Sequence, residues 1–218
     1  MRTILFDFDG VIIDSEYVIR AAFTLSYREI VGKGEPPVEA YLRNMGDSFP
    51  NIMRKMNLPV DMHPHFREYS RRLINLIPLH DHAREVLDYF HSHGFKMGIV
   101  TGKDRQRTLE LIERHAIGHY FGTVVACDDV ANPKPHAEPI LRALADLGSS
   151  PNDAIMLGDA DNDIIAARNA KVKSCGALWG VSSEEELQSV NPDYIAHDML
   201  SFKQLVIKQL QPVAVTSD

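Results

Sequence analysis

Cysteine is scarce in this chain: Cys127 and Cys175 are the only two among 218 residues. That spacing supports neither a disulfide framework nor a close-spaced metal motif, and it fits a reduced interior. Long apolar runs are also missing, so no segment reaches the length of a membrane span, and Arg2 leading straight into a strand-like run does not resemble a secretion signal. The expectation is a cytoplasmic globular protein with no membrane partner. Positive charge is in short supply, with 23 Lys and Arg against 30 Asp and Glu and a formal net charge of -7. This balance argues against an extended face for a nucleic-acid backbone, and no nucleic acid is expected as a partner. A few local cations can still hold a small anion. There is no GxGxxG and no Walker motif, which lowers the dinucleotide and nucleoside-triphosphate readings.

What is present is a regular alternation. Apolar strand-like runs at residues 3–8, 96–100, 123–126, 154–157 and 173–176 are separated by helical patterns at 83–93, 105–115, 137–147 and 163–170, where Leu and Ala repeat every three or four positions. The pattern predicts an α/β fold, a Rossmann-like parallel sheet covered by helices on both faces. The first gap breaks the rule. Residues 15–79 carry helical periodicity at 17–31, 38–45, 49–56 and 62–76 with no convincing strand. Too long for one crossover helix, this stretch reads as a small all-helical cap inserted between residues 1–14 and 80–218 of a catalytic core. Beyond it, short helices and an edge strand at 193–196 are expected, and residues 212–218 read as a frayed tail.

Each polar signal falls just after a predicted strand, at the end of a parallel sheet where ligands bind. Asp7 and Asp9 follow the first, standing two apart so that both leave one face of a strand. Two carboxylates so near ask for a metal, an acid/base role, or both. Thr101, Gly102 and Lys103 follow the second strand. The plain reading of Thr101 is a helix cap, and the functional one is phosphate binding by its hydroxyl and the loop amides. Lys134, between Pro133 and Pro135, sits on a stiffened loop that holds a positive charge in register. Asp159, Asp161 and Asp163 crowd the loop after the fourth strand. They exceed what one helix cap needs, and their hard oxygen ligands suit magnesium. The ten histidines show no zinc spacing.

Taken in order, Asp7-Phe8-Asp9-Gly10-Val11, Thr101-Gly102-Lys103, Lys134-Pro135 and Gly158-Asp159 through Asp163 resemble the four motifs of the haloacid dehalogenase-like superfamily, in its phosphoglycolate phosphatase and beta-phosphoglucomutase-like branch. The resemblance implies a magnesium-dependent phosphomonoesterase acting on a small phosphorylated metabolite: a sugar or amino-sugar phosphate, or phosphoglycolate. It assigns Asp7 as the nucleophile that becomes an aspartyl-phosphate, and Asp9 as the acid and base. Thr101, Gly102 and Lys134 become phosphate ligands, and Asp7, Asp9, Asp159 and Asp163 hold Mg2+. Tyr17, Arg20, Gly46, Asp47 and Ser48 of the cap are expected to meet the leaving group. A phosphosugar mutase is the alternative, weakened because Phe49 stands where that branch carries a cap arginine; a non-catalytic phospholigand-binding protein is a further one. A monomer or homodimer is expected.

Overall fold

The computed structural model describes residues 2–45 and 47–210; Gly46 and the tail at 212–218 therefore lie outside the described residues. Strand β1 (Thr3–Phe6) is the centre of a six-stranded, all-parallel sheet in the order β3-β2-β1-β4-β5-β6. The others are β2 (Lys96–Val100), β3 (Thr123–Val125), β4 (Ala154–Gly158), β5 (Lys173–Ala177) and β6 (Tyr194–Ala196). Register is tight on both sides of β1, with Thr3 opposite Lys96 and Ala154. A strand enclosed between two neighbours and two helical layers must be apolar throughout, and Ile4, Leu5 and Phe6 are fully buried.

Side-chain alternation splits the core in two. Ile4, Phe6, Met97 and Leu157 face helices α5 (Ala83–Ser92) and α10 (Met199–Leu210), whose Val86, Leu87, Phe90 and Phe202 cover them. Leu5 and Met156 point the other way, onto Ile140, Ala143 and Leu144 of α7 (Glu138–Asp146) and Ala166 and Ala167 of α8 (Asp161–Asn169). Each face loses roughly 25 cal/mol of stability for every Å² of apolar surface left uncovered, so both layers are required. The remaining helices of this part are α6 (Arg105–Arg114) and α9 (Glu184–Ser189).

Residues between β1 and β2 build four helices first: α1 (Glu16–Ile30), α2 (Val38–Leu42), α3 (Phe49–Lys55) and α4 (Met62–Arg72). They enclose a separate apolar cluster drawn from their own side chains, including Ile19, Phe23, Tyr41, Phe49, Met53 and Phe66. Aromatic stacking centres it, with Phe23 on Tyr41 at 4.4 Å and Phe49 on Phe66 at 4.5 Å between ring centroids. The chain leaves and re-enters the sheet layer side by side. The Asp14 amide donates to the Pro78 carbonyl and the His80 amide to that of Ile12, both at 3.0 Å, around a bridge from Ile13 to Leu79.

Several expected boundaries move. The first strand stops at Phe6, not residue 8. The Asp7 amide still pairs with the Leu157 carbonyl at 2.8 Å, but the next turn closes on the Phe8 carbonyl, which accepts from Ile12 and Ile13. Asp7 and Asp9 are thus loop residues, brought together by a turn and not by strand pleat. The long fourth insert helix ends at Arg72, followed by a 3-10 turn over Ile74–Leu76, and the second ends at Leu42. Helix α8 begins two residues early because the Asp163 carboxylate accepts from the Ala160 amide at 3.2 Å and closes the first turn. At its far end Lys171 takes a left-handed φ of 58°, a conformation that costs a non-glycine residue about 1–2 kcal/mol. Among the described residues, no helix is long and apolar enough to cross a membrane.

Candidate active site

The loops after β1, β2 and β4, and the loop before α7, meet at the carboxyl end of the sheet. At their centre the Lys134 ammonium, 2% exposed, lies 3.1 Å from Asp7 Oδ1, 2.5 Å from Asp163 Oδ1 and 3.1 Å from the Val100 carbonyl. An ammonium has three donors, and here each has an acceptor. Burial alone would lower the Lys134 pKa, but the Asp163 and Asp7 carboxylates outweigh it and raise it, so the side chain stays charged.

One carboxylate oxygen from each of Asp7, Asp159 and Asp163 lies within 4.8 Å of the others. Burial, then repulsion from Asp163, lifts the Asp7 pKa to about 7 in spite of Lys134; burial and Asp7 raise that of Asp159. Carboxylates held so close, with one ammonium among them, carry surplus negative charge in a buried space. A divalent cation with oxygen ligands fits this donor set. Asp159 is fixed by the Val181 amide, which donates to its Oδ2 at 2.9 Å, and by two glycines. A Cβ at Gly10, whose φ is +76°, would stand 2.0 Å from the Asp159 carboxylate, and one at Gly180 2.2 Å from the Asp159 Cβ. Only residues without a side chain let both loops close on that acid.

Asp9 is not one of the three clustered acids and has its own partners. Ser15 Oγ donates to its Oδ1 at 2.5 Å, and Lys103 Nζ stands 3.1 Å from Oδ2. Burial lowers the Lys103 pKa, with Asp9 working against the shift. Thr101 is buried in the neighbouring loop, its hydroxyl accepting from the Lys103 amide at 3.1 Å. The helix that follows is capped by Asp104, which accepts from the Arg107 amide at 3.1 Å. Thr101 is therefore not the cap, and it lines the cavity described next.

A cavity of about 40 Å³ opens above these groups. Its floor is Asp7, Asp9, Asp159 and the loop from Thr101 to Lys103; its walls include Ile19, Tyr41, Met45, Asp47, Phe49, Phe66 and Arg107. Of the residues expected to meet a leaving group, Asp47 lines it, held by Lys55 at 3.0 Å and Asn51 at 2.9 Å. Ser48 begins α3 beside it, and Gly46 is outside the described residues. Tyr17 and Arg20 do not line it: Tyr17 is 68% exposed, and Arg20 is tied to Glu16 at 2.7 Å and Glu39 at 2.5 Å. The buried face of α1 is the one carrying Ile19, Ala22 and Phe23, and Ile19 is the residue that reaches the cavity. Lys103 was expected only as the last residue of the second motif, with no role for its side chain, and Arg107 was not singled out. Their only signal was position, two and six residues after Thr101.

The chain is similar to known proteins over most of its length. The family model described as haloacid dehalogenase-like hydrolase matches residues 4–177. A protein of Oceanobacillus iheyensis named Pyrophosphatase PpaX is 31% identical, with 91% of this chain and 94% of that one covered. The protein of that name from Bacillus velezensis is 33% identical over 91% and 93% of the two chains. Among solved structures, a hydrolase from Pseudomonas syringae superposes with a TM-score of 0.85 at 21% identity, over 94% of this chain and 97% of that one.

Proposed function

This chain belongs to the haloacid dehalogenase-like hydrolases, and from that premise we propose that it is a magnesium-dependent phosphatase of a small phosphorylated metabolite, working through an aspartyl-phosphate on Asp7. The observation that carries the reading is the Lys134 ammonium fixed 3.1 Å from a buried Asp7 carboxylate at the floor of a cavity. A carboxylate attacking an anionic phosphoryl group meets repulsion, and a rigid cation beside it offsets that repulsion without reorganising. Asp7, Asp159 and Asp163, with the Asp9 carbonyl, would hold magnesium, which when bound supplies further charge neutralisation between nucleophile and phosphate.

In this scheme an Asp7 oxygen bonds to phosphorus as the bond to the leaving oxygen breaks, and Asp9 delivers a proton to that oxygen. Asp9 then takes a proton from water, whose oxygen displaces Asp7 and releases inorganic phosphate. The Thr101 hydroxyl, the Gly102 amide and the Lys134 ammonium receive the phosphoryl oxygens. The helices of residues 15–79 act as a cap that shields the site from bulk water and presents Asp47, Tyr41 and Phe49 to the leaving group. The substrates this reading points to are compact: a sugar or amino-sugar phosphate, phosphoglycolate, or pyrophosphate, the last suggested by the names of the relatives.

Phosphate release from a panel of such compounds, with and without magnesium, tests the reading. Asp9→Asn is expected to lower turnover of alkyl phosphates by roughly 10²–10⁴. With p-nitrophenyl phosphate, whose leaving group needs no proton, the first-turnover burst should persist. Loss of that burst together with alkyl turnover would assign Asp9 to folding or binding instead.

Magnesium should also act on stability. Burial, with the neighbouring Asp163, pushes the Asp7 pKa up to about 7 in the folded protein, above its ordinary value. Stability from this group is therefore full at low pH and is lost as pH rises through about 7. A bound cation reverses the loss. At about 100 times its Kd magnesium stabilises by about 2.7 kcal/mol, or roughly 5–10 °C for a chain of this size. The rise in unfolding midpoint should be greater at pH 8 than at pH 6. An equal rise at both, or none, contradicts a cation seated on Asp7.

A further inference from the structure

The upper part of the cavity contains a guanidinium whose bonding is incomplete. Arg107, 8% exposed, lines the cavity. Its Nε donates to Asp104 Oδ2 at 2.5 Å and its guanidinium lies 5.3 Å from the centre of the Phe66 ring. Its Nη1 is buried with no hydrogen-bond partner among the described residues. Leaving a buried charged donor unmatched is costly, and native proteins rarely do so without a reason.

Charge bookkeeping points the same way. Lys103 is matched by Asp9 at 3.1 Å and Lys55 by Asp47 at 3.0 Å. Asp104, by contrast, serves two guanidinia: Arg107 at 2.5 Å and Arg67 at 3.6 Å. Burial works to raise the Asp104 pKa but Arg107 outweighs it and lowers it, so this acid is ionised and supplies one negative charge against two positive ones. A surplus cation and a buried, unpartnered N–H donor thus coincide on one side chain that lines the cavity. Both are satisfied by one kind of group, an anionic oxygen, and a guanidinium is the side chain best shaped for carboxylate or phosphate.

We propose that Arg107 is a specificity-determining residue, and that its free Nη1 binds an anionic oxygen, of a carboxylate or a phosphate, carried by the leaving group. The inference rests on the phosphatase reading and narrows it to substrates whose leaving group is itself negatively charged. A neutral alcohol leaves the guanidinium with its surplus charge; an aminosugar adds a second cation to it.

The test compares kcat/KM with magnesium for phosphoglycolate, pyrophosphate and ethyl phosphate, in the unsubstituted enzyme, Arg107→Met and Arg107→Lys. Phosphoglycolate and pyrophosphate separate the carboxylate from the phosphate source. Loss of a charged hydrogen bond should lower the preferred anionic substrate by roughly 10- to 150-fold in Arg107→Met, against no more than about 3-fold for ethyl phosphate. Arg107→Lys, which keeps the charge but not the fork, should recover part of the loss. Equal losses on all three compounds would make Arg107 a structural residue and overturn the proposal. A second arm measures binding by calorimetry to Asp7→Asn protein with magnesium. Phosphoglycolate or pyrophosphate should bind more tightly than ethyl phosphate, and Arg107→Met should erase the difference. No preference, or one that survives the substitution, also overturns it. If none of the three compounds is turned over yet the binding preference holds, the phosphatase reading fails and Arg107 stands as an anion ligand.

Discussion

Asp7→Asn should abolish turnover, by roughly 10⁴–10⁶-fold, the scale seen when a covalent nucleophile is removed from an otherwise intact site. The loss is expected in kcat, with substrate affinity retained. What separates this outcome from simple damage is the stability of the variant. Asp7 is a buried acid beside Asp163, with its pKa raised to about 7, so at neutral pH its ionisation costs the folded state energy. Asparagine preserves shape and removes that cost. Without magnesium the unfolding midpoint at pH 8 should therefore be unchanged or higher than in the unsubstituted protein. An inactive variant that also melts early would mean that Asp7 serves mainly to hold Lys134, and the nucleophile would have to be sought elsewhere.

Lys134→Met should show the opposite profile, with activity and stability falling together. The ammonium satisfies Asp7, Asp163 and the Val100 carbonyl at once. Removing it leaves two buried carboxylates facing each other and a carbonyl without a donor. Breaking such a pair costs about 3–5 kcal/mol, a large share of the about 5–15 kcal/mol that keeps a domain folded. Urea unfolding should show this as a lower midpoint at unchanged slope. Adding Asp163→Asn should restore part of the loss, because one uncompensated charge disappears with it; a double-mutant cycle reads that coupling directly. A loss below about 1 kcal/mol would place Lys134 with ordinary surface ion pairs and deprive Asp7 of its fixed cation.

The positions of the sheet residues were legible because a strand covered on both sides must be apolar without interruption, and runs such as Ile4-Leu5-Phe6 and Ile155-Met156-Leu157 have no other use. The loops that meet at the site followed from parallel topology, and Asp7, Lys134, Asp159 and Asp163 do converge there. Helical periodicity was legible in the insert, but Tyr17 and Arg20, expected at the leaving group, do not line the cavity. Adjacent residues on a helix point about 100° apart, so Ile19 enters the cavity while Arg20 reaches Glu39 outside it. The buried stripe of Ile19, Ala22 and Phe23 would have revealed this had it been weighed above the attraction of polar side chains for substrate. Lys103 and Arg107 were out of reach for a different reason. The first is paired with a carboxylate from β1's loop, a contact between segments distant in the chain that no local pattern encodes; the second is held locally by Asp104, three residues before it, but meets the cavity beside Phe66 of the insert, which the local pattern does not show.

The adjacent crossing of the chain at Ile13 and Leu79 has a consequence for the tolerance of the fold to change. To the sheet, everything between those paired segments is one closed loop, and the entropy of closing a loop grows only with the logarithm of its length, about 0.6 kcal/mol for each doubling. Lengthening, shortening or exchanging the helices there costs the sheet little, provided the ribbon at the crossing survives. Changes to the helices over Asp7 are therefore expected to leave the register of the strands beneath in place.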